Sequence, residues 1–202
     1  MRGAVVLCGG ESRRMGQPKA GLAFGPERLL QRVVRIVSEQ ANVIVVVAAP
    51  GQVCPPLPDS VRIVHDPVSG RGPLQGLAAG LTALPCSVEF VFATATDTPF
   101  LRPAWIKRLH ELIGVNDLAL PFVDGFHHPL SAVYRRATSL PAMEKLLRQN
   151  QFRLLNLMDL LQTHVVESEE LRHVDPELAS LRNLNTPEEY AKALSDAGLP
   201  VP

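Results

Sequence analysis

Two stretches of the chain are apolar at every consecutive position, Ala4 to Cys8, which follows Gly3, and Val43 to Ala49. A strand with one face in water alternates apolar and polar residues. An unbroken apolar run has to be covered on both faces, as in the interior strands of a parallel sheet packed between helices. Between the two runs, Glu27 to Ala41 carries Leu29, Leu30, Val33, Val34, Val37 and Ala41, the i, i+3, i+4 spacing of an amphipathic helix. Val61 to His65 reads as a third strand ended by an Asp-Pro turn. Leu74 to Leu84 reads as a helix bounded by Pro73 and Pro85, and Val88 to Thr94 as a fourth strand. This βαβαβ alternation predicts an α/β fold, Rossmann-like, with a mostly parallel sheet and helices on both faces. In such sheets ligands bind beyond the carboxyl ends of the strands. That rule selects three loops: 9–19, 66–76 and 95–103.

The second half is less regular. Helices are expected at Trp105–Ile113, Leu140–Arg148, Leu154–Leu161 and Pro187–Leu194, and strands at Asp117–Pro121, Pro129–Tyr134 and His164–Glu167. No long polar linker separates the halves, so residues 1–202 are expected to form a single domain. Twenty basic residues balance twenty acidic ones and aromatics are 5%. That balance argues against nucleic acid as a partner, which would favour a basic excess and stacking side chains. Cys8, Cys54 and Cys86 form no CxxC pair, which argues against a zinc knuckle or disulfide scaffold and suits a reducing compartment. The longest apolar run has seven residues, Val43 to Ala49, well short of the ~18 that cross a bilayer. The expectation is a cytoplasmic protein with no membrane partner.

The loop after the first strand is the sharpest local signal. It reads Leu7-Cys8-Gly9-Gly10-Glu11-Ser12-Arg13-Arg14-Met15-Gly16-Gln17-Pro18-Lys19. Glycines allow backbone N–H groups to crowd around an anion, and Arg13, Arg14 and Lys19 add positive charge. A polyphosphate cradle and an ordinary surface turn with solvated arginines both fit that spacing. The loop lacks the GK[ST] of a Walker A motif and the spacing of GxGxxG. Asp97, just past the fourth strand, fits either a Mg²⁺ ligand or a turn residue before Thr98-Pro99.

The loop resembles the LAGGxSxRMGxxKA signature of the molybdenum cofactor guanylyltransferases, the MobA-like nucleotidyltransferases. Gly9, Gly10, Ser12, Arg14, Met15, Gly16, Lys19 and Ala20 match it, and Cys8 stands where the signature has Ala. Gly72-Pro-Leu-Gln-Gly-Leu77 is similar to the family's GPLAG segment and Thr96 to Leu101 to its CDMPFL segment. Pro129 to Arg135 is similar to its PLxAxYR strand, and Asn183 to Glu188 to its NINTPE segment. These matches keep the family's order over nearly the whole chain.

The resemblance implies a nucleotide-diphospho-sugar-transferase-like three-layer sandwich. It also implies transfer of GMP from Mg–GTP to molybdopterin, or its molybdenum-loaded form, with release of pyrophosphate. The implied nucleotide-binding set is Leu7, Cys8, Gly9, Gly10, Ser12, Arg13, Arg14, Lys19, Asp66, Gly72, Pro73, Leu74 and Gly76. Arg14, Lys19 and Asp97 are implied as catalytic, with Asp97 holding Mg²⁺, and Asn183 and Asn185 face phosphate or the second substrate. GTP and molybdopterin are the implied substrates, with transient contact to molybdoenzymes or their chaperones. Taken as residues alone, Asp66 is equally the Asp of an Asp-Pro turn. Thr186 is the better helix cap, which leaves the asparagines for other work. His127 and His128 are loop histidines or contacts to the second substrate. Cytidylyl transfer, sugar-phosphate nucleotidyl transfer and a non-catalytic nucleotide-binding regulator are the alternatives.

Overall fold

A computed structural model describes residues 1–9, 18–68 and 71–201. Its elements follow the chain as β1 (Arg2–Leu7), β2 (Ala23–Phe24), β3 (Glu27–Arg28), α1 (Leu29–Ser38), β4 (Val43–Ala48), β5 (Val61–His65), α2 (Gly72–Ala83), β6 (Phe90–Ala95) and α3 (Pro103–Leu112). They continue as β7 (Leu118–Val123), β8 (Phe126–His127), β9 (Ser131–Arg135), α4 (Arg136–Arg148), β10 (Thr163–Glu167), α5 (Ser168–Arg172) and α6 (Pro187–Asp196).

The main sheet runs in the order β10-β7-β9-β6-β1-β4-β5, with β8 paired to β7. β5, β4, β1 and β6 are mutually parallel, as the apolar runs require. β9 runs antiparallel to both β6 and β7. The chain leaves β1 toward β4 on one side and returns to β6 on the other, so the order reverses at β1. The crevice at such a reversal is where doubly wound sheets bind ligands.

Both faces of β1 are buried, each in a different core. Ala4 and Val6 pack with α1 and α3, through Leu30, Val33, Val37, Ile106 and Leu109. Val5 and Leu7 pack with α2, through Leu74, Leu77 and Leu81. Each of the valine, leucine and isoleucine side chains contributes about 1.5–3 kcal/mol by leaving water. Gly80 lets α2 lie close to the sheet, since a Cβ there would stand 2.5 Å from Val5 Cγ1.

A third, smaller cluster joins the β2–β3 hairpin to the C-terminal helix through Leu22, Phe24, Leu29, Leu184, Ala193 and Leu194. The Tyr190 hydroxyl also donates to the Ala23 carbonyl. The hairpin was not anticipated from the sequence. It begins four residues after Lys19, and α6 begins two after Asn185, so this cluster brings two distant segments together.

Four helices depart from expectation, the first because Glu27 and Arg28 form β3 and α1 begins only at Leu29. The Leu140–Arg148 helix starts at Arg136, and Pro141 lies inside it. Leu154–Leu161 is a 3₁₀ segment over Leu154–Asp159. The second helix starts at Gly72, at φ +69°, with Pro73 following in the first turn.

Candidate active site

The carboxyl ends of β1 and β6 are fastened together by Thr96, whose N–H and hydroxyl both donate to the Leu7 carbonyl at 3.1 Å. Thr98 closes the turn beyond β6, its hydroxyl donating to the Ala95 carbonyl at 3.1 Å. Asp97 stands between these two anchored threonines and is half-buried. Lys19 Nζ donates to Asp97 Oδ2 at 2.7 Å and to Asn185 Oδ1 at 2.9 Å. Three segments, 78 and 166 positions apart in pairs with Lys19, therefore meet at one ammonium group.

Asn185 is held from its own side of the contact. Leu184 N–H donates to the Asp97 carbonyl at 3.0 Å. Asn185 N–H donates to Glu189 Oε2 at 2.6 Å, and Thr186 caps α6, as expected, through a reciprocal capping box with Glu189. The cap is thus Thr186, and the Asn185 amide is left to reach Lys19. Asn183 makes no such contact. It is exposed and lines a cleft that Asp97 also lines.

That cleft has a volume of about 670 Å³ and contains Asp97, Thr98, His127, His128, Ser131, Arg153 and Asn183 among its lining residues. The reversed strand builds it. Because β9 is antiparallel, its first residue, Ser131, pairs with Thr94 near the carboxyl end of β6. The β7–β8 hairpin places His127 opposite Phe122 beside it. Ser131 Oγ and His127 Nδ1 are buried and have no hydrogen-bond partner among the described residues. Burial holds the His128 imidazole below its ordinary pKa, opposed by the hydrogen bond it donates to the Val123 backbone carbonyl and by Asp124. Leu130, Phe152 and Leu154 supply an apolar wall. Ser131, Phe152 and Arg153 were not singled out in the sequence. They reach the site only through the reversed strand and the 3₁₀ segment, which no local pattern announces.

The remaining expected residues lie on the other side of β1 or at its edges. Cys8 and Gly9 N–H groups both donate to the Val47 carbonyl, at 2.8 and 3.2 Å. A Cβ on Gly9 would stand 2.8 Å from Ala49 N, so only glycine fits there. Cys8 lines a cavity of about 440 Å³ with Pro18 and residues 49–53. Burial, and then the neighbouring Cys54, push the Cys8 thiol up to about 12. Asp66 forms the expected turn, accepting from Val68 N–H at 3.0 Å through Oδ1. Its Oδ2 faces buried Gly76, where a Cβ would stand 3.3 Å from Leu7 Cδ2 and 3.7 Å from Asp66 Oδ2. Leu7 and Leu74 are core side chains, 8% and 0% exposed, which leaves only their backbone for a ligand. Pro73 instead lines the 670 Å³ cleft. Gly10, Ser12, Arg13 and Arg14 lie outside the described residues.

Magnesium in phosphoryl-transfer sites takes one or two carboxylates, with phosphate and water oxygens completing the octahedron. Asp97 and the Asn185 amide oxygen fit that donor set, and an ammonium already bridges them. A dedicated protein cage is a different matter: among the described residues no three His, Cys, Asp or Glu side chains gather to hold a metal. No helix among them is long and apolar enough to cross a membrane.

The model of the MobA-like NTP transferase domain matches residues 4–166. Among curated relatives, a protein of Pelotomaculum thermopropionicum named "Probable molybdenum cofactor guanylyltransferase" is 32% identical over 191 residues, covering 94% of this chain and 90% of the relative. One of the same name from Methanosarcina mazei is 36% identical over 210 residues, covering 97% and 91%. Among solved structures, molybdopterin-guanine dinucleotide biosynthesis protein A from Archaeoglobus fulgidus superposes with a TM-score of 0.79 at 24% identity, covering 97% of this chain and 98% of that one. The 2-C-methyl-D-erythritol 4-phosphate cytidylyltransferase of Thermus thermophilus superposes at 0.70 and 18% identity, covering 98% and 100%. The two structural likenesses support the α/β nucleotidyltransferase fold. With the domain model spanning most of the sequence and full-length relatives above 30% identity, the chain belongs to the MobA-like NTP transferase family.

Proposed function

We propose that the protein transfers GMP from Mg–GTP to the terminal phosphate of molybdopterin, or its molybdenum-loaded form, releasing pyrophosphate. The observation that carries this reading is the Lys19–Asp97–Asn185 contact, whose Asp97 also lines the 670 Å³ cleft. A charge centre between two recesses suits joining two substrates. The nucleotide lies over β1 and β4, against Cys8, Gly9, Asp66 and Gly76, and its phosphates run toward Lys19. The acceptor lies in the cleft. Its flat heterocycle meets Leu130, Phe152 and Leu154, and the unpartnered Ser131 and His127 atoms offer it hydrogen bonds. Arg153 and Asn183 face its phosphate.

The attacking group is a phosphate oxygen, already anionic, so no general base is required. The protein's contribution is positioning and charge neutralisation. Lys19 turns from Asp97 to the phosphates as a point charge. Asp97, so released, would hold magnesium, which when bound neutralises charge on the α-phosphate and the departing pyrophosphate. Thr96 and Thr98 keep the Asp97 turn in place. We read residues 1–202 as one domain that carries both subsites, working in the cytoplasm. Delivery of the product would take transient contact with molybdoenzymes or their chaperones.

The test is turnover of labelled GTP with and without molybdopterin, with unlabelled CTP and ATP as competitors. Pyrophosphate release that needs both molybdopterin and Mg²⁺, and that GTP alone among unlabelled nucleotides suppresses, is the expected result. Competition by CTP equal to that by GTP would move the enzyme to cytidylyl transfer. GTP binding without turnover would leave a nucleotide-binding regulator.

A further inference from the structure

Cys8 and Cys54 are 46 positions apart in sequence, yet their sulfur atoms lie 3.9 Å apart. Both are free thiols, and the third cysteine, Cys86, is exposed. A single side chain latches the segment beyond β4 to Cys8. Gln52 Nε2 donates to the Cys8 carbonyl and lies equally near its sulfur, both at 3.2 Å, while Gln52 Oε1 accepts from Ala49 N–H at 3.0 Å. Cys8 is 9% exposed and Cys54 is more open. A disulfide needs its sulfurs at about 2.05 Å, so closure draws the two together from 3.9 Å.

We propose that Cys8 and Cys54 form a dithiol site that closes reversibly to a disulfide and thereby obstructs the nucleotide recess. The co-reactant is a low-molecular-weight disulfide, RSSR. The Cys54 thiolate, the more accessible, attacks one sulfur of RSSR. That S–S bond breaks, and RS⁻ leaves and takes up a proton. The Cys8 sulfur, having lost its proton to solvent, attacks the Cys54 sulfur of the mixed disulfide and expels the second RS⁻. Two protein thiols are oxidised and one RSSR is reduced to two RSH, and a dithiol reductant reverses both steps. Burial disfavours the Cys8 thiolate, and the short Sγ–Sγ distance offsets this by making the second step intramolecular.

Little slack exists for the closure to be absorbed. Gly9 is packed so tightly against Ala49 that it has no room for a Cβ. Drawing Cys54 toward Cys8 displaces Gln52 and narrows the 440 Å³ cavity that Cys8, Pro18 and residues 49–53 line. The obstruction rests on the reading that GTP uses this recess. The dithiol does not.

The protein is equilibrated in mixtures of oxidised and reduced glutathione, quenched, and its thiols counted after denaturation. Three thiols should fall to one, with the loss of two hydrogens and one linked peptide pair containing Cys8 and Cys54. Dithiothreitol should restore three. Persistence of three thiols, a glutathione adduct on Cys54 that never closes, or a link through Cys86 overturns the site. GTP affinity is then measured on the same samples. Oxidation should weaken Kd about tenfold or more, and Cys54→Ser, taken through the same redox mixtures, should keep the reduced value. An unchanged Kd in fully oxidised wild type overturns the obstruction. If the disulfide closes but reduced protein binds no GTP, the dithiol stands and the nucleotide reading falls, taking the obstruction with it.

Discussion

Asp97 and Lys19 are four-fifths shielded from solvent and bonded at 2.7 Å, so each substitution at the pair removes a specific charge. Asp97→Asn keeps the side chain's shape and its acceptor oxygen for Lys19 but loses the charge a magnesium ion needs. The expected result is loss of Mg²⁺-dependent turnover by a hundredfold or more, the equivalent of several kcal/mol of Lewis-acid assistance, with Tm nearly unchanged. A wild-type rate across a Mg²⁺ titration would remove Asp97 from the metal. Lys19→Ala deletes a charged donor to phosphate, worth about 1.5–3 kcal/mol, so GTP affinity or rate should fall roughly 10- to 150-fold. Isothermal titration with GTP reads this directly, and an unchanged Kd together with an unchanged rate would contradict a phosphate role for Lys19.

Helix α2 rests on β1 through Gly80, and the fit is close enough to test. Alanine there would gain about 1 kcal/mol of helix propensity. Its Cβ, however, would stand 2.5 and 2.8 Å from the two Val5 methyls and 3.1 Å from Val47 Cγ2. Val5 is β-branched and fully buried in a central strand, so it cannot rotate away cheaply. Overpacking of this kind costs about 1–3 kcal/mol, and Gly80→Ala should lower Tm by several degrees in calorimetry; a rise would mean that α2 shifts freely over the sheet. This contact also shows why some elements were legible in the sequence and others were not. The strands of the parallel core announce themselves because burial on both faces makes them apolar throughout, as in Val43 to Ala48. The β2–β3 hairpin pairs two residues with two, too few to carry a period. The start of α4 at Arg136 was obscured by Pro141, which normally marks a helix's first turn. At the site, Asp97, Lys19 and Asn185 stood out because they lie in recognisable segments at strand ends or before a helix. Ser131, Arg153 and the partnership of Cys8 with Cys54 depend on which strands become neighbours and in which direction, and that is decided by the whole sheet.

The fold as a whole shelters an ionisable group that, among the described residues, has no compensating charge or hydrogen bond. His110 lies on α3 against the sheet, 8% exposed, with its ring edge-on to Phe90 at 6.4 Å. Neither ring nitrogen has a hydrogen-bond partner among the described residues. Burial, and then repulsion from Arg2, depress its pKa from 6.5 to about 4. The folded protein therefore takes up a proton at His110 less readily than the unfolded chain does. Above pH 6.5 both forms are neutral there and the group exerts no pH-dependent effect. Between pH 6.5 and 4 the unfolded chain is protonated while the folded one is not, and stability drains away as pH falls. A shift of this size corresponds to about 3 kcal/mol, a substantial share of the 5–15 kcal/mol that holds a typical domain folded. His110→Leu removes the titrating group while filling a similar space. Urea unfolding followed from pH 8 to pH 4 should show wild type losing stability more steeply than the variant below pH 6.5. The gap between them should widen by up to about 3 kcal/mol at pH 4. Carboxylates elsewhere titrate in both proteins and cancel in the difference. Parallel curves would mean that His110 finds water or a partner on protonation, and that α3 opens from the sheet more readily than its packing implies.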